Sequence, residues 1–143
     1  MSNTQASRTL ILYGTALIFV SLLTGAAIEI FQSRMLLSAH LAGTLGGILC
    51  IAVAGAMRKL ELTESGRKWL VTTLLSSGYM NWSVTVLGAL LGTKNMTPLF
   101  GKGGAPEVAE TIVSALLVLM TIPTFAALAI LARGARSKQP PGE

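Results

Sequence analysis

The chain has 143 residues, 52% of them hydrophobic and only 12% charged, with a formal net charge of +5. Soluble domains average about 25% charged residues, so this composition argues against a water-soluble fold. All six acidic residues are glutamate, and there is one cysteine. These counts exclude an aspartate-containing catalytic triad, an internal disulfide and a cysteine-based zinc site.

Four apolar blocks follow one another along the chain. They cover about residues 9–28, 35–57, 69–92 and 108–132. Each reaches the roughly 20 residues that a helix needs to cross about 30 Å of hydrocarbon, and none alternates as a barrel strand would. The sequence therefore predicts an all-α integral membrane protein. We expect residues 1–136 to form a single domain, a bundle of four transmembrane helices, and residues 137–143 to form a flexible tail.

The first block has an alternative interpretation. Arg8, the apolar run Leu10–Leu23 and the small residues Gly25–Ala27 also resemble a cleavable signal peptide. We expect the segment to be retained as the first membrane helix.

The distribution of lysine and arginine predicts the orientation. Eight of the eleven lie in the N-terminal segment, the second connection and the tail, namely Arg8, Arg58, Lys59, Arg67, Lys68, Arg133, Arg136 and Lys138. The other three, Arg34, Lys94 and Lys102, lie in the first and third connections. By the positive-inside rule both chain ends face the cytoplasm, as in a bacterial-type inner (cytoplasmic) membrane. The basic segments are topology signals on this interpretation, and no nucleic-acid partner is expected.

The second block holds the one histidine of the chain, His40, in its predicted outer half. Ala39, Gly43 and Gly47 recur every four residues on the same helix, a pattern that lets another helix approach closely. One interpretation is tight helix packing, with His40 hydrogen-bonded across the interface. The other is that His40 coordinates the metal of a flat cofactor on the face cleared by Gly43 and Gly47, since one histidine suffices to hold a haem iron.

The third block carries a polar stripe at every fourth position, formed by Thr73, Ser77, Asn81 and Thr85. Serine and threonine can bond to carbonyls of their own helix. Asn81 lies near the middle of the block and needs a partner from elsewhere. It either joins two helices or faces a cavity that holds a substrate, and both interpretations stay open.

The connection 93–107 is rich in glycine and proline, which predicts an irregular external segment folded over the mouth of the bundle. The fourth block begins with Glu107 and Glu110, where the helix dipole favours acidic residues. Glu110 is closer to the hydrocarbon and is also a candidate proton donor. Pro123 predicts a kink later in this helix.

Three short segments carry a family resemblance. They are Leu22–Gly25 in the first block, Leu37–Gly43 in the second and Asn81–Trp82 in the third. Together with the length, the four apolar blocks and the glycine-rich connection, they resemble hydroxylaminobenzene mutase, a family that is in turn similar to styrene oxide isomerase. The resemblance covers nearly the whole chain.

The resemblance implies a four-helix membrane enzyme that binds haem b and assembles as a homotrimer. Carried over by position, His40 is the axial ligand of the haem iron, while Asn81 and Glu110 match an asparagine and an acidic residue of the family. Arg34 is a candidate partner for a haem propionate, as are the two lysines of the third connection. The implied reaction is a redox-neutral rearrangement of a small apolar aromatic substrate, with ferric haem as Lewis acid. It converts an arylhydroxylamine to an aminophenol or an aryl epoxide to an aldehyde.

The chain also departs from the family pattern. Ala42 stands where the mutases have glutamate, and Gly46 where the family has asparagine. Ser77 and Thr85 stand where the epoxide isomerase has an aspartate and a tyrosine. Two other functions therefore remain: a non-catalytic haem-binding membrane protein, and a small structural or accessory membrane subunit in which the polar groups join helices.

Overall fold

Five α-helices and one 3₁₀ turn make up the computed structural model, which describes residues 1–31, 33–99 and 101–136. The elements are α1 (Asn3–Phe31), α2 (Arg34–Ala56), the 3₁₀ turn Met57–Lys59, α3 (Glu64–Leu91), α4 (Glu107–Leu119) and α5 (Thr121–Ala135). These described ranges contain no strand. The all-helical prediction is confirmed, and α4 and α5 together form the fourth predicted helix. The predicted tail, 137–143, lies outside the described residues.

Within the part of the chain that the structure describes, three segments are long and apolar enough to cross a membrane, namely Asn3–Phe31, Arg34–Lys59 and Glu107–Ala135. The 28 residues of α3 span about 42 Å, but its polar side chains keep it out of this group. Two of them, Thr73 and Thr85, are buried, and each hydroxyl donates to a carbonyl of α3 itself at 2.7 Å. These two threonines are thus satisfied within their own helix. A fourth membrane span, through α3, remains a prediction.

Small residues bring the first three helices close together. A Cβ added to Gly47 would lie 2.5 Å from the carbonyl oxygen of Gly14 in α1. Where α2 passes α3, a Cβ added to Gly46 would lie 3.3 Å from the Cα of Gly78. Glycine at such positions lets helix backbones touch. The small-residue spacing of α2 is therefore used for helix packing.

One end of the bundle gathers the N-terminal segment, the α2–α3 connection and the end of α5. Arg67 Nε donates to the carbonyl of Met1 at 3.0 Å, and Glu61 N donates to the carbonyl of Gly134 at 3.1 Å. The described basic residues that were predicted to be cytoplasmic lie in these segments. Their location at one end agrees with the positive-inside prediction, while the side of the membrane that they face remains a prediction.

The opposite end is covered by the connection between α3 and α4. Thr97 Oγ1 donates to the sulfur of Met35 at 3.6 Å, and Lys102 Nζ donates to the carbonyl of Phe31 at 3.1 Å. Both contacts fasten the connection to the ends of α1 and α2. The predicted placement of this segment over the mouth of the bundle is confirmed.

The fourth predicted helix is interrupted at Met120, three residues before Pro123. Proline has no N–H, and its ring collides with the carbonyl four residues earlier, that of Leu119. Thr124 Oγ1 donates to the carbonyl of Met120 at 3.0 Å, so the break leaves this acceptor satisfied. The helix is thus interrupted next to the proline at which a kink was predicted, while the bend itself stays a prediction. Both halves, α4 and α5, pack mainly on α3.

Candidate functional site

His40 lies where α2 passes the last turns of α1, and its imidazole is half-buried. Its Nδ1 is 2.7 Å from the main-chain carbonyl oxygen of Ser21. Because a carbonyl only accepts, Nδ1 donates this hydrogen bond. Among the described residues, Nε2 has no hydrogen-bond partner.

Gly25, one turn after Ser21, makes room for the imidazole. A Cβ at this position would lie 2.9 Å from Nδ1 and 3.1 Å from Cε1 of His40. Neither Ser21 nor Gly25 was predicted from sequence to lie in the candidate site, although Gly25 belongs to one of the segments that carry the family resemblance. A signal was available: the small residues Gly14, Ser21 and Gly25 are spaced seven and four residues apart on α1, which complements the small-residue spacing of α2.

Gly43 and Gly47 face α1. A Cβ added to Gly43 would lie 1.8 Å from Ser21 Oγ and 2.8 Å from Trp82 Cδ1, and one added to Gly47 would lie 2.5 Å from Ile18 Cγ1. The structure thus places both glycines in helix packing, the first of the two interpretations of this stripe. The face that the sequence assigned to a flat cofactor is filled by α1 and by the indole of Trp82.

Trp82 ties α3 to α1 beside this contact. Its Nε1 donates to Thr24 Oγ1 at 3.0 Å, and that hydroxyl donates in turn to the carbonyl of Val20 at 2.9 Å. Ser21 is fully buried, and its Oγ has no partner in the part of the chain that the structure describes. Ser21 therefore binds the histidine through its main-chain carbonyl, and its hydroxyl makes no hydrogen bond to any described residue.

Asn81, next to Trp82, is half-buried. Its Oδ1 accepts a long hydrogen bond of 3.4 Å from Thr85 Oγ1, which also donates to the Asn81 carbonyl at 2.7 Å. Within residues 1–31, 33–99 and 101–136 its side-chain nitrogen has no partner. The interhelical bond considered from the sequence is absent from these ranges, and the other interpretation, an amide facing a cavity, stays a prediction.

Glu110 is only 6% exposed and is held by the connection that precedes its own helix. Its Oε1 accepts from Lys94 N at 2.8 Å and its Oε2 from Asn95 N at 3.0 Å. Charge-assisted bonds of this kind are among the stronger ones in proteins, so this carboxylate fastens the start of α4 to the connection. A proton-donor role would require a proton on this carboxyl, which would weaken the bond accepted by the protonated oxygen.

Arg34 begins α2 and is exposed. Neither of the two ion pairs found among the described residues involves it. It lies six residues before His40, about 9 Å along the helix axis. Of the site residues predicted from sequence, His40, Gly43 and Gly47 share the α1 contact. The other three lie apart: Asn81 bonds within α3, Glu110 bonds to the α3–α4 connection, and Arg34, at the start of α2, forms no ion pair within the described ranges.

Comparison with known proteins places the chain in a family. The styrene oxide isomerase family model matches residues 6–136. Hydroxylaminobenzene mutase HabB of Ectopseudomonas oleovorans is 28% identical over 139 residues, which cover 95% of this chain and 85% of the relative. No solved structure matches the chain significantly. One name denotes an isomerase and the other a mutase, so both indicate an isomerase-type enzyme. The resemblance seen in the sequence is confirmed: the chain belongs to the styrene oxide isomerase family.

Proposed function

We propose that this protein is a membrane-embedded, haem b-dependent isomerase that rearranges a small apolar aromatic substrate without net oxidation or reduction. Membership of the family supports the class of reaction. The observation that supports haem is the geometry of His40, whose Nδ1 is bonded to the carbonyl of Ser21. Its Nε2 has no protein partner among the described residues. A homotrimer in the cytoplasmic membrane belongs to the same proposal.

The donor groups of the chain fit a metal that brings most of its own ligands. No three His, Cys or Glu side chains come together as a metal site within the described ranges. A haem iron needs only one axial imidazole from the protein. An Nδ1–H tied to a backbone carbonyl is the usual way to orient a metal-binding histidine. Because α1 covers Gly43 and Gly47, the haem would lie on a side of the imidazole away from that contact.

The remaining residues would bind and orient. When bound, ferric haem supplies a Lewis acid that can weaken a C–O or N–O bond of the substrate. His40 would hold the iron, and the exposed Arg34 would pair with a propionate. Asn81, with its side-chain nitrogen unpaired among the described residues, would orient the substrate by donating a hydrogen bond. The apolar helix surfaces would exclude water from a reactive intermediate.

The substrate would be an arylhydroxylamine or an aryl epoxide. The name of the relative supports the first, giving an aminophenol, and the name of the family supports the second, giving an aldehyde. Both are small and apolar, so they could reach the site from the bilayer.

A second candidate, a non-catalytic haem-binding protein, is favoured by two positions that depart from the family pattern. Gly46 lies at the α2–α3 contact, and a side chain there would touch Gly78 and Leu17. The Thr85 hydroxyl is bonded to its own helix. Neither position offers an acid or a base to a substrate.

The first test is the visible absorption spectrum of the purified protein beside that of His40→Ala. Thr44→Ala is a matched control, one turn along the same helix, with a buried hydroxyl that has no partner among the described residues. A strong Soret band in the wild type and the control, but not in His40→Ala, would support haem ligation. A wild type that stays colourless after haem is supplied would refute it and favour a structural or accessory subunit. Turnover of phenylhydroxylamine or styrene oxide by the haem-loaded protein would then separate an isomerase from a haem-binding protein.

A further inference from the structure

We propose that the main-chain carbonyl of Ser21 and the missing side chain of Gly25 hold His40 in the Nδ1–H tautomer before any cofactor arrives, so that Nε2 is the nitrogen left to coordinate a metal. This inference rests on the proposed function where it concerns haem. The tautomer itself is a property of the chain alone and can be measured without a cofactor.

The hydrogen bond at Nδ1 fixes the tautomer of His40. A neutral imidazole has one donor and one acceptor nitrogen, and the group bound to one nitrogen decides which is which. The only partner of His40 among the described residues is a carbonyl oxygen, 2.7 Å from Nδ1. This bond requires the proton on Nδ1 and leaves the Nε2 lone pair free. Free neutral histidine in water prefers the opposite tautomer, so the fold has to impose this one.

The space beside the Ser21 carbonyl exists because residue 25 is glycine. In the α-helix the carbonyl of Ser21 lies at the level of residue 25, four positions later. The Nδ1–H of His40 is a second donor to this oxygen, beside the helix amide four residues later, and it can reach the oxygen only by lying against the backbone at that level. A Cβ at Gly25 would be 2.9 Å from Nδ1, 3.1 Å from Cε1 and 3.2 Å from Cγ of His40. A side chain at position 25 would therefore push the ring away from the carbonyl.

The neighbouring hydroxyls of Ser21 and Thr24 do not compete with the carbonyl for Nδ1. Ser21 Oγ points towards Gly43, where an added Cβ would be 1.8 Å away. Thr24 Oγ1 is engaged by Trp82 on one side and donates to its own helix on the other. The acceptor for Nδ1 is thus a main-chain atom. Replacing Ser21 by alanine should leave the tautomer unchanged.

The experiment is nitrogen NMR of the full chain in detergent micelles, without haem, at alkaline pH and with ¹⁵N-labelled histidine. The chain has one histidine, so the two ring nitrogens of His40 are the only signals. We expect Nδ1 to carry the proton and Nε2 to give the signal of an unprotonated nitrogen, in the wild type and in Ser21→Ala. A wild type with the proton on Nε2, or with an even mixture, would overturn the proposal.

Gly25→Ala tests the part played by the glycine. We expect it to move the proton towards Nε2 and to weaken haem binding by about tenfold or more, the usual effect of losing the group that orients a metal ligand. Gly55→Ala is the control, because a Cβ at Gly55 meets no atom within 4 Å. A Gly25→Ala spectrum identical to that of the wild type would refute the role of Gly25. If Gly25→Ala fails to fold, the wild-type and Ser21→Ala spectra still decide the tautomer.

Haem titration of the same wild-type sample separates the two proposals. If the wild type has Nδ1 protonated but binds no haem, the tautomer inference is supported and the proposed function is refuted. If the wild type binds haem but has Nε2 protonated beforehand, haem binding is supported and the tautomer inference is refuted.

Discussion

Replacing Gly47 by alanine would test whether direct backbone contact holds α1 against α2. The added Cβ would lie 2.5 Å from the carbonyl oxygen of Gly14 and 2.5 Å from Ile18 Cγ1. That is about 1 Å short of a normal van der Waals contact. The isoleucine can change rotamer, but the carbonyl belongs to the backbone of α1. The whole helix must move, and extra methyl groups in a packed interior typically cost about 1–3 kcal/mol.

Gly46→Ala is the matched control in the same helix interior. Its Cβ would lie 3.3 Å from Gly78 Cα and 3.4 Å from Leu17 Cδ2, so shifts of a few tenths of an ångström would accommodate it. Both substitutions gain the intrinsic helix propensity of alanine over glycine, about 1 kcal/mol. This gain cancels in the comparison. The difference in the free energy of unfolding then reports the steric penalty, and we expect Gly47→Ala to be less stable by about 1–3 kcal/mol.

The assay is reversible unfolding in mixed micelles with increasing SDS, followed by far-UV circular dichroism. Both variants should retain the wild-type helix content in the absence of SDS. Equal stability of the two variants, within about 0.5 kcal/mol, would refute the assignment of Gly47 to a backbone contact. It would imply that α1 and α2 are farther apart, and the geometry around His40 would have to be revised.

Three further substitutions test other contacts. Glu110→Gln leaves one strong acceptor for two backbone amides of the α3–α4 connection, so we expect the free energy of unfolding to fall by about 1–3 kcal/mol and those amides to exchange hydrogen faster. Glu107 is exposed, so Glu107→Gln should change neither quantity. An equal effect of the two substitutions would contradict the contact. Trp82→Phe keeps an aromatic ring but loses the indole N–H that donates to Thr24. This should lower the free energy of unfolding by at least the roughly 0.6–1.7 kcal/mol of such a bond, and unchanged stability would argue against the bond. Pro123→Ala restores a donor at the α4–α5 break, so far-UV circular dichroism should show added helix, and an unchanged spectrum would mean that proline does not cause the break.

The apolar blocks determined where helices form, but three of the four were shorter than the helices they predicted, the exception being α2. The first was predicted over 9–28, whereas α1 runs from Asn3 to Phe31. Hydropathy marks the segment that can enter hydrocarbon, and a helix continues beyond it where local bonds allow. Gln5 N, for example, is capped by Ser2 Oγ at 3.1 Å. Such a cap is visible in the sequence but carries no hydropathy signal.

The sequence by itself determined the all-helical fold, the break before Pro123 and the residue types of the candidate site, because hydropathy, proline chemistry and a lone histidine are local properties. Only the tertiary structure decided which residues contact one another. It showed that the glycine stripe of α2 meets α1, that Glu110 bonds to a connection 15 and 16 residues earlier in the chain, and that His40 bonds to a main-chain carbonyl. Every residue has such a carbonyl, so no side-chain pattern identifies the one that a distant residue will meet. That choice depends on how the helices are rotated against one another, which is set by the packing of the whole bundle.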